Sequence, residues 1–393
     1  MGPDFKMNIE LTIEKIAFGG DGLGFVDGKA YFVEGALPGE RVLARVKNDK
    51  KNYGKARLLR VLLPSPERVE PPCPYVRACG GCQYQHLRYE EELRWKELQV
   101  RESFAKELRA DAPFIQPIRR GPKEYGYRQS ITLHRTVKTN QKPHPLAFIG
   151  RDNHSFVFIE NCMLADENLK SVFAAPHALG KYEIKRVFKI GQDKGIVSSE
   201  EDRLYRVPLG GEVFWAHSRG FFQNNLDVTE LVAEEVAEIV RETAPSRFID
   251  LYSGVGTFTV LSAPKIPELC CFEQSPYAID CLRRNLNERG LPGAIFRGKV
   301  EQMFPNFWLG NRKEDSFILL DPPRLGITPQ LAEFFSKADM ITNLVYLACD
   351  LQILLRDLRI ILSKGNYRIR TVVPFDMFPR TKHLEVLAWL ERA

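Results

Sequence analysis

An α/β protein is the fold class this sequence predicts: a doubly wound, mostly parallel sheet, preceded by a small OB-like β-barrel and a β-rich middle. Three observations predict it. From Arg247 onward, short apolar runs alternate with amphipathic ones, the signature of strands and helices in turn. The first sixty or so residues (roughly residues 7–64) instead hold five short β-prone runs between glycine turns, which fits a five-stranded barrel. Between the two regimes lies a proline-rich stretch, Pro64-Ser65-Pro66 to Pro71-Pro72, that neither a helix nor a central strand would tolerate.

Taken in order, residues 9–17, 30–33, 41–46 and 56–63 are β-prone, with Gly19-Gly20-Asp21-Gly22 and Asp27-Gly28 as tight turns, the second a hairpin turn. A cysteine hairpin follows, then an amphipathic helix over 89–108. Residues 113–213 read as mixed and strand-rich. Helical spacing of Val228, Leu231, Val232, Val236, Ile239 and Val240 predicts a helix over 225–243. Strands are then expected at 247–252, 294–297, 316–320 and 343–348, with helices at 276–289, 328–338 and 351–363 and two closing β-rich runs at 367–373 and 383–390. The implied domains are 7–65, 66–215 and 216–393.

The 393 residues carry a net charge of +6, and eight basic residues against one acid fall within 41–60, with Tyr53 among them. That bias points toward a polyanionic partner. No apolar run approaches the length of a membrane span and no secretion signal opens the chain, so a cytoplasmic protein is expected. In that setting the eight cysteines are better explained by metal binding or catalysis than by disulfides. Cys73, Cys79 and Cys82 form C-x5-C-x2-C, and Cys162 stands 80 residues further on. Four such thiols suit a metal, and zinc competes with an iron-sulfur cluster on spacing alone.

The strand ending at Asp250 runs into Leu251-Tyr252-Ser253-Gly254-Val255-Gly256-Thr257-Phe258. Gly254 and Gly256 allow close approach of a nucleotide cofactor. Thr259 replaces the third glycine of a dinucleotide fingerprint, which disfavours nicotinamide cofactors. With Glu273 one strand later to accept ribose hydroxyls, S-adenosylmethionine is the better fit. Cys349 ends an apolar strand 25 residues beyond Asp321-Pro322-Pro323-Arg324. Both fall where ligands gather in an open α/β sheet, and the pair suggests chemistry on a nucleobase.

Several segments together resemble the RNA uridine-5-methyltransferases, in the branch with an N-terminal TRAM domain and an iron-sulfur cluster. They are Phe32-Val33-Glu34-Gly35-Ala36-Leu37-Pro38-Gly39-Glu40-Arg41-Val42, the Cys73 to Cys82 segment with its lead-in and tail, Phe221-Phe222-Gln223-Asn224-Asn225, the acid-proline loop, Cys349, and His383-Leu384-Glu385. The resemblance implies that Gln223, Tyr252, Thr257, Glu273 and Asp321 contact S-adenosylmethionine, beside Gly254 and Gly256. It makes Cys349 the nucleophile and Glu385 the proton acceptor, and it favours a 4Fe-4S cluster on Cys73, Cys79, Cys82 and Cys162. The residue types suit that reaction. Carbon 5 of uracil is a poor nucleophile until a thiolate adds at carbon 6, and a carboxylate must later remove the carbon 5 proton.

The expectation is therefore a cytoplasmic, monomeric, S-adenosylmethionine-dependent RNA methyltransferase with large-subunit ribosomal RNA as partner, transfer RNA being the alternative. A methyltransferase acting on an exocyclic amine would also use an acid-proline-proline loop but has no need of Cys349 or Glu385. A non-catalytic RNA-binding factor on the same scaffold would fail to bind the cofactor.

Overall fold

A computed structural model describes residues 7–108, 114–136, 146–174 and 185–393. The chain divides into two units: Met1–Gln99 with Phe148–Val157 and Phe378–His383, and Val100–Ala147 with Phe158–Met377 and Leu384–Ala393.

In the first unit β1 (Asn8–Ile16), β2 (Gly22–Val26), β3 (Lys29–Glu34), β4 (Arg41–Asp49) and β5 (Tyr53–Leu63) close into a barrel in the order β1-β2-β3-β5-β4. Asp27 and Gly28 both take positive φ, 50° and 77°, as the hairpin turn between β2 and β3 requires. Alternation sorts the strands. Along β4, Val42, Ala44 and Val46 face the core, while Arg41, Arg45 and Lys47 face water. Fully buried Glu40 accepts from Leu37 N–H at 2.8 Å and pairs with Arg68, whose Nη2 lies 2.8 Å from Oε2. A buried charge needs such partners to be tolerated.

The helix α1 (Tyr89–Leu108) lies in the first unit up to Gln99 and in the second from Val100. Further along, β6 (Ser130–Arg135) precedes β7 (Leu146–Ile149), β8 (Phe156–Val157) and the short α2 (Lys170–Ala174). Then β9 (Lys185–Ile190) pairs antiparallel with both β6 and β10 (Ile196–Ser198), and β11 (Leu204–Leu209) forms a hairpin with β12 (Glu212–His217).

From α3 (Leu226–Thr243) onward the alternation expected of the sequence is present. The elements are β13 (Arg247–Leu251), α4 (Thr257–Ser262), β14 (Glu268–Glu273), α5 (Pro276–Asn287), β15 (Gly293–Arg297), α6 (Val300–Gly310), β16 (Ser316–Leu320), α7 (Pro329–Lys337), β17 (Ile341–Ala348), α8 (Leu351–Ile361), β18 (Tyr367–Phe375) and β19 (Glu385–Arg392). Side chains of Asn225, Ser275, Thr328 and Asp350 cap α3, α5, α7 and α8, each cap stabilising its helix by about 1 kcal/mol. The sheet order is β15-β14-β13-β16-β17-β19-β18, with β19 antiparallel to both neighbours and the first five strands parallel. Strands β13 and β16 are buried along their whole length, and β17 is buried from Leu344 to Ala348, as befits a parallel sheet covered on both faces. The order reverses between β13 and β16, the kind of switch point outside whose carboxyl ends ligands bind in open α/β sheets. The sequence expectation missed α6, which carries Pro305 inside it, and the six-residue α4.

Candidate active site

Everything between Leu251 and Phe258 follows from the end of β13. Tyr252 takes φ +65°, rare for a residue with a Cβ, and its hydroxyl donates to Glu301 Oε1 at 2.7 Å. Gly256 takes φ +84°, and a Cβ there would stand 2.6 Å from Leu282, so only glycine fits. Glu273, at the end of β14, holds this turn. One oxygen accepts from Gly254 N–H at 2.9 Å, the other from Gln274 and Ser275 N–H at 2.8 and 2.7 Å. Thr257 is buried at the start of α4.

Beneath the turn, buried Asp250 accepts from the Thr259 hydroxyl at 2.5 Å through Oδ2, while its Oδ1 has no partner among the described residues. Burial pushes Asp250 up to about 7, against the Thr259 bond and helped by the charges of Asp321 and Glu273. An orphaned buried acceptor in a glycine cradle is what a nucleoside cofactor with hydroxyl and amine donors would satisfy, so this donor and acceptor set fits S-adenosylmethionine.

Asp321 follows β16 directly, and its N–H reaches Leu251 O at 3.3 Å, joining the carboxyl ends of β13 and β16. The loop after it is clasped from α8. Arg356 donates to Leu325 O and Ile327 O at 2.9 and 3.1 Å. Fully buried Asp357 accepts from Ile327 N–H at 3.1 Å and from the Tyr346 hydroxyl at 2.6 Å. Tyr346 lies on β17 three residues before Cys349, so one helix fixes both the acid-proline loop and the thiol's strand. Asp350, right after the thiol, accepts from Gln352 and Ile353 N–H at 3.0 and 3.2 Å and caps α8.

Cys349 and Glu385 meet across the sheet. Ala348 pairs with Val386, and continuing that antiparallel register sets Cys349 opposite Glu385. Burial, then the charge of Glu385, pushes the thiol up to about 12, with Arg324 opposing and Asp321 adding. Glu385 is itself pushed well above the usual carboxylate range, by burial first and then Asp321, again opposed by Arg324. Burial brings Asp321 up to about 7. Thiol, two carboxyls and a guanidinium thus form one electrostatic group, equipped for nucleophilic addition and proton removal.

Gln223 is half-buried in the segment between β12 and α3; its neighbour Phe222 shares a buried cluster with Val255 of the glycine turn. Asp357 and Glu301 were not singled out from sequence. No periodicity marks the first, and the second lies on the unexpected α6.

The cysteines expected to bind metal fall in both units of the chain. Cys73, Cys79 and Cys82 belong to the first unit and Cys162 to the second. Among the described residues no group of three or more His, Cys, Asp or Glu side chains is arranged to hold a metal ion. Gly81 N–H lies 3.5 Å from Cys79 Sγ, and buried Cys82 gives its carbonyl to Arg151. As placed, these residues do not fit a cluster, and none takes part in the chemistry considered below. Among the described residues, no helix is long and apolar enough to cross a membrane.

Comparison with known proteins matches residues 8–59 to the TRAM domain family and 311–393 to the tRNA (Uracil-5-)-methyltransferase family, the second span holding Asp321, Cys349 and Glu385. An uncharacterized RNA methyltransferase of Bdellovibrio bacteriovorus is 30% identical over 396 residues, covering 99% of this chain and 96% of its own. One from Halalkalibacterium halodurans is 28% identical, covering 98% and 96%. Among solved structures, the Pyrococcus abyssi tRNA (uracil-54, C5)-methyltransferase in complex with S-adenosyl-L-homocysteine superposes with a TM-score of 0.72 at 23% identity, over 97% of this chain and 99% of that one.

Proposed function

Because the chain belongs to the S-adenosylmethionine-dependent RNA (uracil-5-)-methyltransferase family with an N-terminal TRAM domain, we propose that it methylates carbon 5 of a uridine through covalent addition of Cys349. The observation that supports this reading is the antiparallel pairing of Ala348 with Val386, the neighbours of Cys349 and Glu385, together with the charge of Glu385 acting on the thiol. Cys349 adds to carbon 6 of the uracil and raises electron density at carbon 5, splitting one hard step into easier ones. S-adenosylmethionine supplies the electrophilic methyl group. Glu385 then takes the carbon 5 proton, and the electron pair released re-forms the double bond as the thiol leaves.

The resting thiol is neutral, so its proton must pass to solvent as the base arrives, leaving Glu385 free to accept the carbon 5 proton later. Arg324, which already opposes the negative charges here, is the group to stabilise that thiolate. Gln223, Tyr252, Gly254, Gly256, Thr257, Glu273 and Asp321 hold the cofactor. Glu273's three backbone hydrogen bonds keep its carboxylate facing the glycine turn, and Asp250 supplies the buried acceptor beneath it.

The division of labour is 7–65 as RNA clamp, 66–215 as central domain and 216–393 as catalyst. The clamp reading is supported by exposed Lys47, Lys50, Lys51, Lys55 and Arg57 around Tyr53, whose ring meets Phe32 edge-on at 6.0 Å. The target base must leave its stack to reach a half-buried thiol, so an unpaired or loop uridine suits best. We assign large-subunit ribosomal RNA as substrate, with transfer RNA as the second reading, and a monomer working in the cytoplasm.

Mass mapping of 5-methyluridine in ribosomal and transfer RNA, from cells with and without the gene, tests the function. Loss at one ribosomal site is expected. Loss in transfer RNA alone selects the second reading, and an unchanged map with no S-adenosylmethionine binding makes the chain a non-catalytic RNA-binding factor.

A further inference from the structure

Lys189 is a buried cation in β9 that the proposed reaction does not use. Its ammonium donates to His217 O at 3.2 Å and to Gly220 O, and it lies 5.9 Å from the centre of the Tyr205 ring. Burial lowers it to about 8. A charge kept inside at such a cost, facing carbonyls, is a feature that requires an explanation.

His217 and Gly220 are the two ends of one turn, since Gly220 N–H also bonds His217 O at 2.9 Å. Four residues past Gly220, Asn224 is held just as firmly. Its Oδ1 accepts from Ser130 N–H at 3.0 Å and Ser130 Oγ at 2.9 Å, and its carbonyl accepts from Gln129 N–H at 2.9 Å. Ser130 and Lys189 are direct cross-strand partners in the β6–β9 pair. The two pins therefore come from one point of one sheet, and only Phe221-Phe222-Gln223 spans the gap between them. Within that span the faces alternate: Phe221 is 70% exposed, Phe222 is buried beside Val255, and Gln223 is half-buried.

We infer that Lys189 is a positioning residue: with Ser130 it brackets this three-residue bridge, so that one side chain is presented to RNA and another to the cofactor in a fixed relation. This rests on the proposed function for the identity of the two ligands. The bracket links the two binding events, because a bridge released at either end loses the setting of both side chains.

The test uses full-length Lys189→Met, Lys189→Arg and Asn224→Ala. S-adenosylhomocysteine binding is read by calorimetry, and methyl transfer by kinetics on total RNA from cells lacking the gene. Removing one charge-assisted bond corresponds to about a tenfold change, so Lys189→Met should raise both the Kd for S-adenosylhomocysteine and the KM for RNA by about tenfold. The kcat should fall by less than about threefold, since the reacting groups are untouched. Lys189→Arg, which keeps the donors, should restore most of the loss. Asn224→Ala should reproduce it, and the double variant should fall short of the sum, as two pins on one segment must. A lowered melting temperature with wild-type Kd and KM would overturn the proposal, as would full additivity. If Lys189→Met does not fold, Asn224→Ala carries the same decision. Wild-type protein that binds S-adenosylhomocysteine but methylates no uridine would refute the function and leave the bracket to be judged on Kd.

Discussion

Replacing Glu385 by glutamine should make Cys349 more reactive toward a simple alkylating agent while making the enzyme worse at its reaction. In the native protein the thiol is pushed up to about 12, by burial and then by Glu385. At pH 8 such a group is ionised in about one molecule in ten thousand, against about one in four for an ordinary thiol near 8.5. Iodoacetamide should therefore label Cys349 about a thousandfold more slowly than an open thiol, with a tenfold gain per pH unit. Glu385→Gln removes the second cause, and each unit by which the thiol falls is worth tenfold in labelling rate. The sign depends on pH. Glu385 is charged only above its own raised pKa, so the variant should match the wild type in acid and outpace it as pH rises. Quenched labelling followed by peptide mass analysis gives the rate at each cysteine separately. Cys349 labelled at neutral pH as fast as an open thiol, or a variant no faster at pH 9 to 10, would refute the electrostatic account.

Three further outcomes are expected. During turnover on RNA, Glu385→Gln should accumulate methylated RNA bonded through Cys349, visible on denaturing gels, with turnover down by about 10²- to 10⁴-fold; near-normal turnover with no adduct would move the proton acceptor elsewhere. Asp250 and Asp321 are raised to about 7 by burial, so the native state holds protons the unfolded chain has released, and stability should decline from about pH 4 to pH 7. Asp250→Asn should flatten part of that slope and stabilise the protein at pH 8 by roughly 1–3 kcal/mol in urea melts, while weakening S-adenosylmethionine binding. Finally, Lys50→Ala with Lys51→Ala should reduce the slope of log affinity for RNA against log salt by between one and two, as measured by filter binding; an unchanged slope would remove these residues from the RNA contact.

Much of this was legible because period and punctuation agreed. The stripe of α3, the cap at Asn225 and the apolar run Phe317 to Leu320 of β16 are local facts, and the observed ends lie within a residue or two of those expected. The hairpin at Asp27-Gly28 was likewise written in the one residue pair that favours two positive φ angles. Proline hid α6, because a break inside a helix of 11 residues removes the signal that would announce it. The site divides the same way. Cys349 and Asp321 declare themselves as strand ends, whereas Glu385 gains meaning only from a strand pairing. Asp357 and Lys189 look like solvated charges in sequence and are buried in the fold, where carbonyls, an amide and a phenol from other segments, and for Asp357 also the adjacent Arg356, partner them. The cysteine spacing told which thiols were available but not whether the fold would gather them into a metal-holding group.

Strand β19 is later in sequence than both its neighbours, yet it occupies the space between them. The carboxylate facing the thiol therefore comes from the last strand of the chain, and without β19 the thiol has no such neighbour. A partly assembled sheet would carry an ordinary, easily ionised thiol, open to oxidants and stray electrophiles. Burial of the thiol and the carboxylate that acts on it thus both depend on the chain's last strand being in place.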